Sequence, residues 1–137
     1  MRRLYEDFEV GEKQEFAKTV TEADVYNFAG VTGDFNPAHL NEEYAKGTMF
    51  KTRIAHGMLS AGFISACLGT KLPGEGAIYM SQEMKFTAPV LIGDTVTATC
   101  EIIEKLGKGK LRVKTTCTKQ DGTVVIDGEA ILMIPRA

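Results

Sequence analysis

The second half of the chain alternates apolar and polar residues with a period of two. Val96, Ala98, Cys100 and Ile102 interleave with Thr95, Thr97, Thr99 and Glu101, and Leu111, Val113, Thr115 and Cys117 interleave with Arg112, Lys114, Thr116 and Thr118. That is the period of antiparallel strands with one face buried. Residues 107–110 read as one hairpin turn and Asp121-Gly122 as the next, and residues 124–134 close the pattern with Gly128 as an expected bulge. Residues 77–90 form a further long strand whose Pro89 lies near an end, where a missing amide is tolerated. With an earlier edge strand at residues 15–20, the pattern predicts a meander of about four long strands.

The first half is helical. Thr21 is a good N-cap, and Glu22 and Asp24 fall in the first turn, where carboxylates suit the helix dipole. Val25, Phe28, Ala29 and Thr32 then make an apolar stripe that ends near Gly33. Pro37 disfavours helix at Asn36, so residues 34–38 are predicted to be extended or a turn, with a short helix following at 41–46. Between residues 57 and 70 the pattern changes: Met58, Leu59, Ala61, Phe63, Ile64, Ala66, Cys67 and Leu68 surround the helix axis. Such a helix is predicted to be buried on nearly all sides, and its Ser60, Gly62 and Ser65 let other backbone come close. Lys71, Pro73 and Gly74 mark its exit. One apolar helix and one long antiparallel sheet imply an α+β fold in which the sheet curls around the helix, as a single domain over residues 1–137.

At 137 residues, 44% apolar and 25% charged, the chain has the composition of a globular protein of one domain. No run approaches the ~20 apolar residues of a membrane-spanning helix, and the start mixes arginine with acids, so a cytoplasmic protein with no membrane partner is expected. A formal charge of -2 and a pI near 5.7 give no basic footprint, and nucleic acid is not an expected partner. Cys67, Cys100 and Cys117 are odd in number and far apart, with too few histidines nearby for a zinc site. They read as reduced, buried fillers, and no metal is expected.

The chemistry concentrates in two short stretches. Residues 33–39, Gly-Asp-Phe-Asn-Pro-Ala-His, hold a carboxylate and an imidazole five positions apart across a bend. The only other histidine, His56, precedes Gly57 and Met58 at the head of the apolar helix. An acid, a base that titrates near neutrality and the free amides of a helix start are the parts needed to add water to a carbonyl-activated double bond.

These residues resemble a known family. The run from Asp34 to His39, then Arg53-Ile54-Ala55-His56-Gly57-Met58, then Phe86 to Asp94 (Phe-Thr-Ala-Pro-Val-Leu-Ile-Gly-Asp), is similar to the MaoC-like dehydratases of the hotdog fold, and among them to the R-specific enoyl-CoA hydratases. The resemblance spans essentially the whole chain. It implies a curved antiparallel sheet wrapped around a long central helix, a homodimer, and reversible hydration of trans-2-enoyl-CoA to (R)-3-hydroxyacyl-CoA. Coenzyme A belongs to the acyl thioester substrate, and no separate cofactor is implied. The family's catalytic acid and histidine match Asp34 and His39, its oxyanion-hole glycine Gly57 and its helix serine Ser65. Asn36, His56, Met58 and Lys85 are further candidates for substrate contact.

Each residue has a structural alternative. Asp34 suits a turn, where Asp bonds its own backbone, and His39 suits a loop surface. His56 suits a helix cap or a bond to a neighbouring loop, and Ser65 a bond to the carbonyl one turn earlier. Alternating lysines such as Lys85 on strands are commonly a solvated face. Two rival activities remain: an acyl-CoA thioesterase, which releases free thiol, and a non-catalytic acyl-CoA-binding hotdog protein, which gives no turnover.

Overall fold

The strands pair into one antiparallel sheet of five in the order β1-β3-β4-β5-β2. The computed structural model describes residues 2–136. Along the chain come β1 (Lys13–Thr19), α1 (Glu22–Thr32), α2 (Pro37–Leu40), α3 (Glu42–Ala45), α4 (Gly57–Thr70), β2 (Ile78–Phe86), β3 (Thr95–Gly107), β4 (Lys110–Lys119) and β5 (Val124–Met133). The sheet's inward residues, among them Val96, Ala98, Ile102, Leu111, Val113 and Ile126, bury against Phe63, Ile64, Cys67 and Leu68 of α4. α4 runs across β1, β3 and β4, the hotdog arrangement of a helix enclosed by its sheet. Cys67, Cys100 and Cys117 are free thiols inside this core, and burial pushes the Cys117 thiol up to about 12.

Local signals set several boundaries. Thr21 and Asp24 form a reciprocal capping box at the head of α1, and Gly33 ends that helix in the left-handed region at φ 84°. α4 spans the residues its apolar run predicts.

Other expectations are corrected. The meander is three strands long, β3-β4-β5, because β2 leaves its sequence neighbour β3 and pairs with β5 at the far edge. β2 also ends at Phe86, where Thr87 turns its amide to the Val125 carbonyl. Gly128 is no bulge: it stands in register opposite Met84 and Thr115. Its missing side chain serves close packing, since a Cβ there would overlap the Glu83 carbonyl oxygen. The bend after Asp34 becomes helical at Pro37, earlier than predicted, because proline is well placed at a first helical position and Asn36 caps the turn through the Ala38 amide.

The central helix is less enclosed than its composition predicts. Gly57, Met58, Gly62, Ser65 and Gly69 are exposed along one side. Beyond the helix, edge strand β2 exposes Ile78, Tyr79, Met80 and Phe86.

Candidate active site

The loop between α1 and α3 is wound by its own side chains. The Thr32 hydroxyl accepts the Asp34 amide, the Asp34 carboxylate accepts the Asn36 amide, and the Asn36 side chain accepts the Ala38 amide. These turns bring His39 back over Asp34. The segment 54–55 is stitched on both sides, Ile54 to the Ala38 carbonyl and Ala55 to the Val90 carbonyl, and so delivers His56 and the start of α4 to the same place. Arg53 braces this segment by pairing with Glu22 of α1 at 2.8 Å and Glu42 of α3 at 3.5 Å.

One ligand atom from each of Asp34, His39 and His56 lies within 4.8 Å of the other two. His39 is partly buried, and its Nδ1 lies 2.7 Å from the Ile54 carbonyl oxygen. A carbonyl only accepts, so Nδ1 carries the proton and the neutral ring keeps an open lone pair on Nε2. His56 is 2% exposed and donates from Nε2 to the Asp34 carbonyl at 3.0 Å, which leaves its buried Nδ1 without a partner among the described residues. The two imidazoles stack, ring centroids 3.9 Å apart at 30°, and Phe28 packs on the far side of His56 at 4.7 Å.

An Asp-His-His set has the composition of a metal site, but its geometry does not suit one. A ligand lone pair lies in the plane of its ring, and planes 3.9 Å apart at 30° meet only several ångströms beyond bonding reach. Zn–N bonds need roughly 2.0–2.1 Å.

His56 is also the N-cap of α4, yet its side chain makes no capping bond. The Gly57 and Met58 amides, at the first two helical positions, have no intrahelical acceptor. They stand where two cavities meet. The smaller, about 280 Å³, is lined by Phe28, Thr32, Asp34, His39, His56, Gly57 and Met58. The larger, about 520 Å³, is mainly apolar and shares Gly57 and Met58 with it, adding Phe50, Ser60, Phe86 and Val90 among others. Phe86 explains why residue 57 is glycine: a Cβ there would lie 2.7 Å from the ring carbons Cδ1 and Cε1.

Asp34, His39, His56, Gly57 and Met58 are thus brought together, and Asn36 shapes the loop. Ser65 and Lys85 are not part of this gathering. Ser65 stands exposed on α4, ~12 Å along the helix axis from Gly57. Lys85 lies on the outer face of the sheet in a hollow with Glu83, Lys114, Asp127 and Glu129. Nothing in the sequence pattern marks Phe86 as a wall of the site, and Ser60 reads there only as a small helix residue. The signal for Ser60 was its spacing, three residues after Gly57 and hence on the same helix face.

The MaoC like domain family matches residues 7–124. The (R)-specific enoyl-CoA hydratase of Rhodospirillum rubrum is 58% identical over 96% of this chain and 91% of its own length. The 3-hydroxybutyryl-CoA dehydratase of Methylorubrum extorquens is 49% identical over 99% of this chain and 87% of its own. Among solved structures, the unliganded R-hydratase PhaJ1 of Pseudomonas aeruginosa superposes with a TM-score of 0.92 at 47% identity, covering 98% of this chain and 86% of that one. The fold and the similarity agree, and the chain belongs to the MaoC-like dehydratase family.

Proposed function

We propose that this chain is an R-specific enoyl-CoA hydratase that reversibly adds water to trans-2-enoyl-CoA to give (R)-3-hydroxyacyl-CoA. One observation carries the reading: Asp34, His39 and Gly57 line one small cavity, and ligand atoms of Asp34 and His39 lie within 4.8 Å of each other there. Similarity to an (R)-specific enoyl-CoA hydratase and a 3-hydroxybutyryl-CoA dehydratase supports the same substrate class and both directions of one reaction.

In this mechanism Asp34 and His39 hold one water against C3 of the enoyl group. As its oxygen bonds to C3, the water gives a proton to the Asp34–His39 couple, and the couple returns a proton to C2. General acid–base help of this kind contributes about 10² to 10⁴ in rate. Meanwhile negative charge grows on the thioester oxygen, where the Gly57 amide donates and the positive end of α4 adds its field. One such donor stabilises the transition state by about 3 kcal/mol. The addition asks of the protein only proton transfer and charge stabilisation, so the reading includes no cofactor. Buried free thiols fit a reducing compartment, the cytoplasm.

The reading includes a homodimer. β2 is an edge strand whose Ile78 is 57% and Phe86 53% exposed, and one side of α4 bearing Ser65 is uncovered. A second copy added along that edge satisfies the strand's open hydrogen bonds and covers the apolar side chains. Light scattering on the purified chain is expected to give twice the chain mass.

The deciding experiment follows loss of enoyl absorbance with crotonyl-CoA while recording free thiol and product chirality. Conversion to the R alcohol without thiol release is expected. The S alcohol sinks the stereochemical assignment, thiol release supports a thioesterase, and absence of both reactions supports a binding protein.

A further inference from the structure

We propose that Ser60 anchors a polar subsite for the first amide of the substrate's thiol arm, an inference that rests on the acyl-thioester reading above. Ser60 is 1% exposed, and its Oγ has no hydrogen-bond partner among the described residues. Buried hydroxyls are seldom left so. A hydroxyl on a helix commonly bonds back to the carbonyl one turn earlier, as Thr32 does to Phe28 at 2.7 Å and Thr70 to Ala66 at 2.6 Å. Ser60 makes no such bond and lines the larger, mainly apolar cavity. A desolvated, unsatisfied hydroxyl in an apolar wall is matched to a ligand that brings its own polar group there.

The shape of a thioester identifies that group. Its carbonyl carbon has three substituents: the oxygen, C2 and the sulfur. With the oxygen on the Gly57 amide and C2–C3 in the small cavity with Asp34 and His39, the sulfur arm leaves through the larger cavity, which shares Gly57 and Met58. Ser60 follows Gly57 by three residues on one helix face, an offset of about 5–6 Å, and helical side chains tilt back toward the N-terminus. In a coenzyme A-type arm the first amide follows the sulfur after two methylenes, a reach that matches this offset. A serine hydroxyl can donate to that amide's carbonyl or accept from its N–H, and the apolar wall, including Phe86 and Val90, suits the methylenes.

The test compares three crotonyl thioesters: that of coenzyme A, that of N-acetylcysteamine, which keeps the first amide, and that of propanethiol, which has none. Ser60→Ala is expected to lower kcat/KM about tenfold on the two amide-bearing esters, mostly through KM, while the wild-type to variant ratio on the propyl ester is near one. The thermal midpoint is expected not to fall, since the substitution removes an unsatisfied buried group. An equal loss on all three esters, or no loss on any, overturns the subsite. Calorimetric binding of butyryl-CoA, which has no double bond to hydrate, separates this inference from the hydratase reading. Tenfold weaker binding by the variant supports the subsite even if the wild type hydrates nothing, and unchanged binding overturns it even if hydration is rapid.

Discussion

The rings of His39 and His56 stack at 3.9 Å, and each is tethered by one nitrogen to a backbone carbonyl, His39 to Ile54 and His56 to Asp34. His56 therefore touches both members of the proposed proton-transfer couple, His39 through its ring face and Asp34 through the main chain. Under the proposed mechanism it acts as a positioning residue, since its own free nitrogen is buried. His56→Phe keeps a ring to stack on His39 and removes the bond to Asp34. A displacement of ~1 Å can cost about 10² in rate, so kcat on crotonyl-CoA is expected to fall about 10- to 100-fold with KM little changed. A variant that loses only thermal stability and keeps kcat would reduce His56 to a packing role.

Asp34 and His39 act on the same water in the proposed mechanism, so their losses are not independent. Asp34→Asn keeps an oxygen for the Asn36 amide and His39→Gln keeps a polar side chain, so both variants are expected to fold. Each is expected to cut kcat by about 10² to 10⁴. The double variant is expected to lose little more than the worse single one, as residues working as a unit do. Additive losses, measured as a double-mutant cycle on kcat, mean that the two act separately.

Gly57 and Phe86 compete for one volume. A methyl at residue 57 meets the Phe86 ring at 2.7 Å, and overpacking of this kind costs about 1–3 kcal/mol. Gly57→Ala is expected to lower both the unfolding midpoint and kcat. Adding Phe86→Ala removes the clash and is expected to recover part of the midpoint, a non-additivity on the order of 1 kcal/mol. If the two stability losses simply sum, the ring and the new methyl do not meet.

Much of this was legible in the sequence, for reasons that differ by residue. The bounds of α4 follow from a continuous apolar run closed by Pro73 and Gly74, and α1 from the Thr21–Asp24 box and Gly33. Asp34 and His39 were visible because their bend is made by local turn chemistry, and His56 because it stands at the head of the apolar run of α4. What stayed hidden depends on distant pairing. The position of β2 beside β5 is chosen by contacts far apart in sequence, so period-two alternation finds the strand but not its neighbour. An irregularity between Tyr79 and Ser81 also resets which side chains of β2 face inward. Met84 thus packs on the core while Lys85 faces outward. Phe86 acquires its role only through the ring's approach to Gly57, which no one-dimensional pattern contains.

Asp94, the last residue of the third sequence motif, supports the wall of the larger cavity from behind. Its carboxylate accepts the Leu91 amide and the Gln120 side chain, each at 2.8 Å, and pairs with Lys119 at 3.0 Å, both partners of that pair being mostly buried. Burial alone raises the carboxyl's pKa, but the bonds from Gln120, Leu91 and Lys119 outweigh it and hold the group below its ordinary value of 3.8. The folded chain therefore binds this proton less readily than the unfolded chain. The resulting stability is complete above the unfolded value and drains away as pH falls through the lower, folded one. Asp94→Asn is expected to unfold more easily at pH 7 by about 1–3 kcal/mol, because it weakens a buried charge-assisted network. Below pH ~4 the two stability curves should begin to approach each other, meeting only below the folded value, since the wild type then loses the advantage the variant never had. Denaturant titrations from pH 7 to 3 give both curves. If they run parallel across that range, the carboxylate's charge contributes nothing to holding residues 89–94 in place.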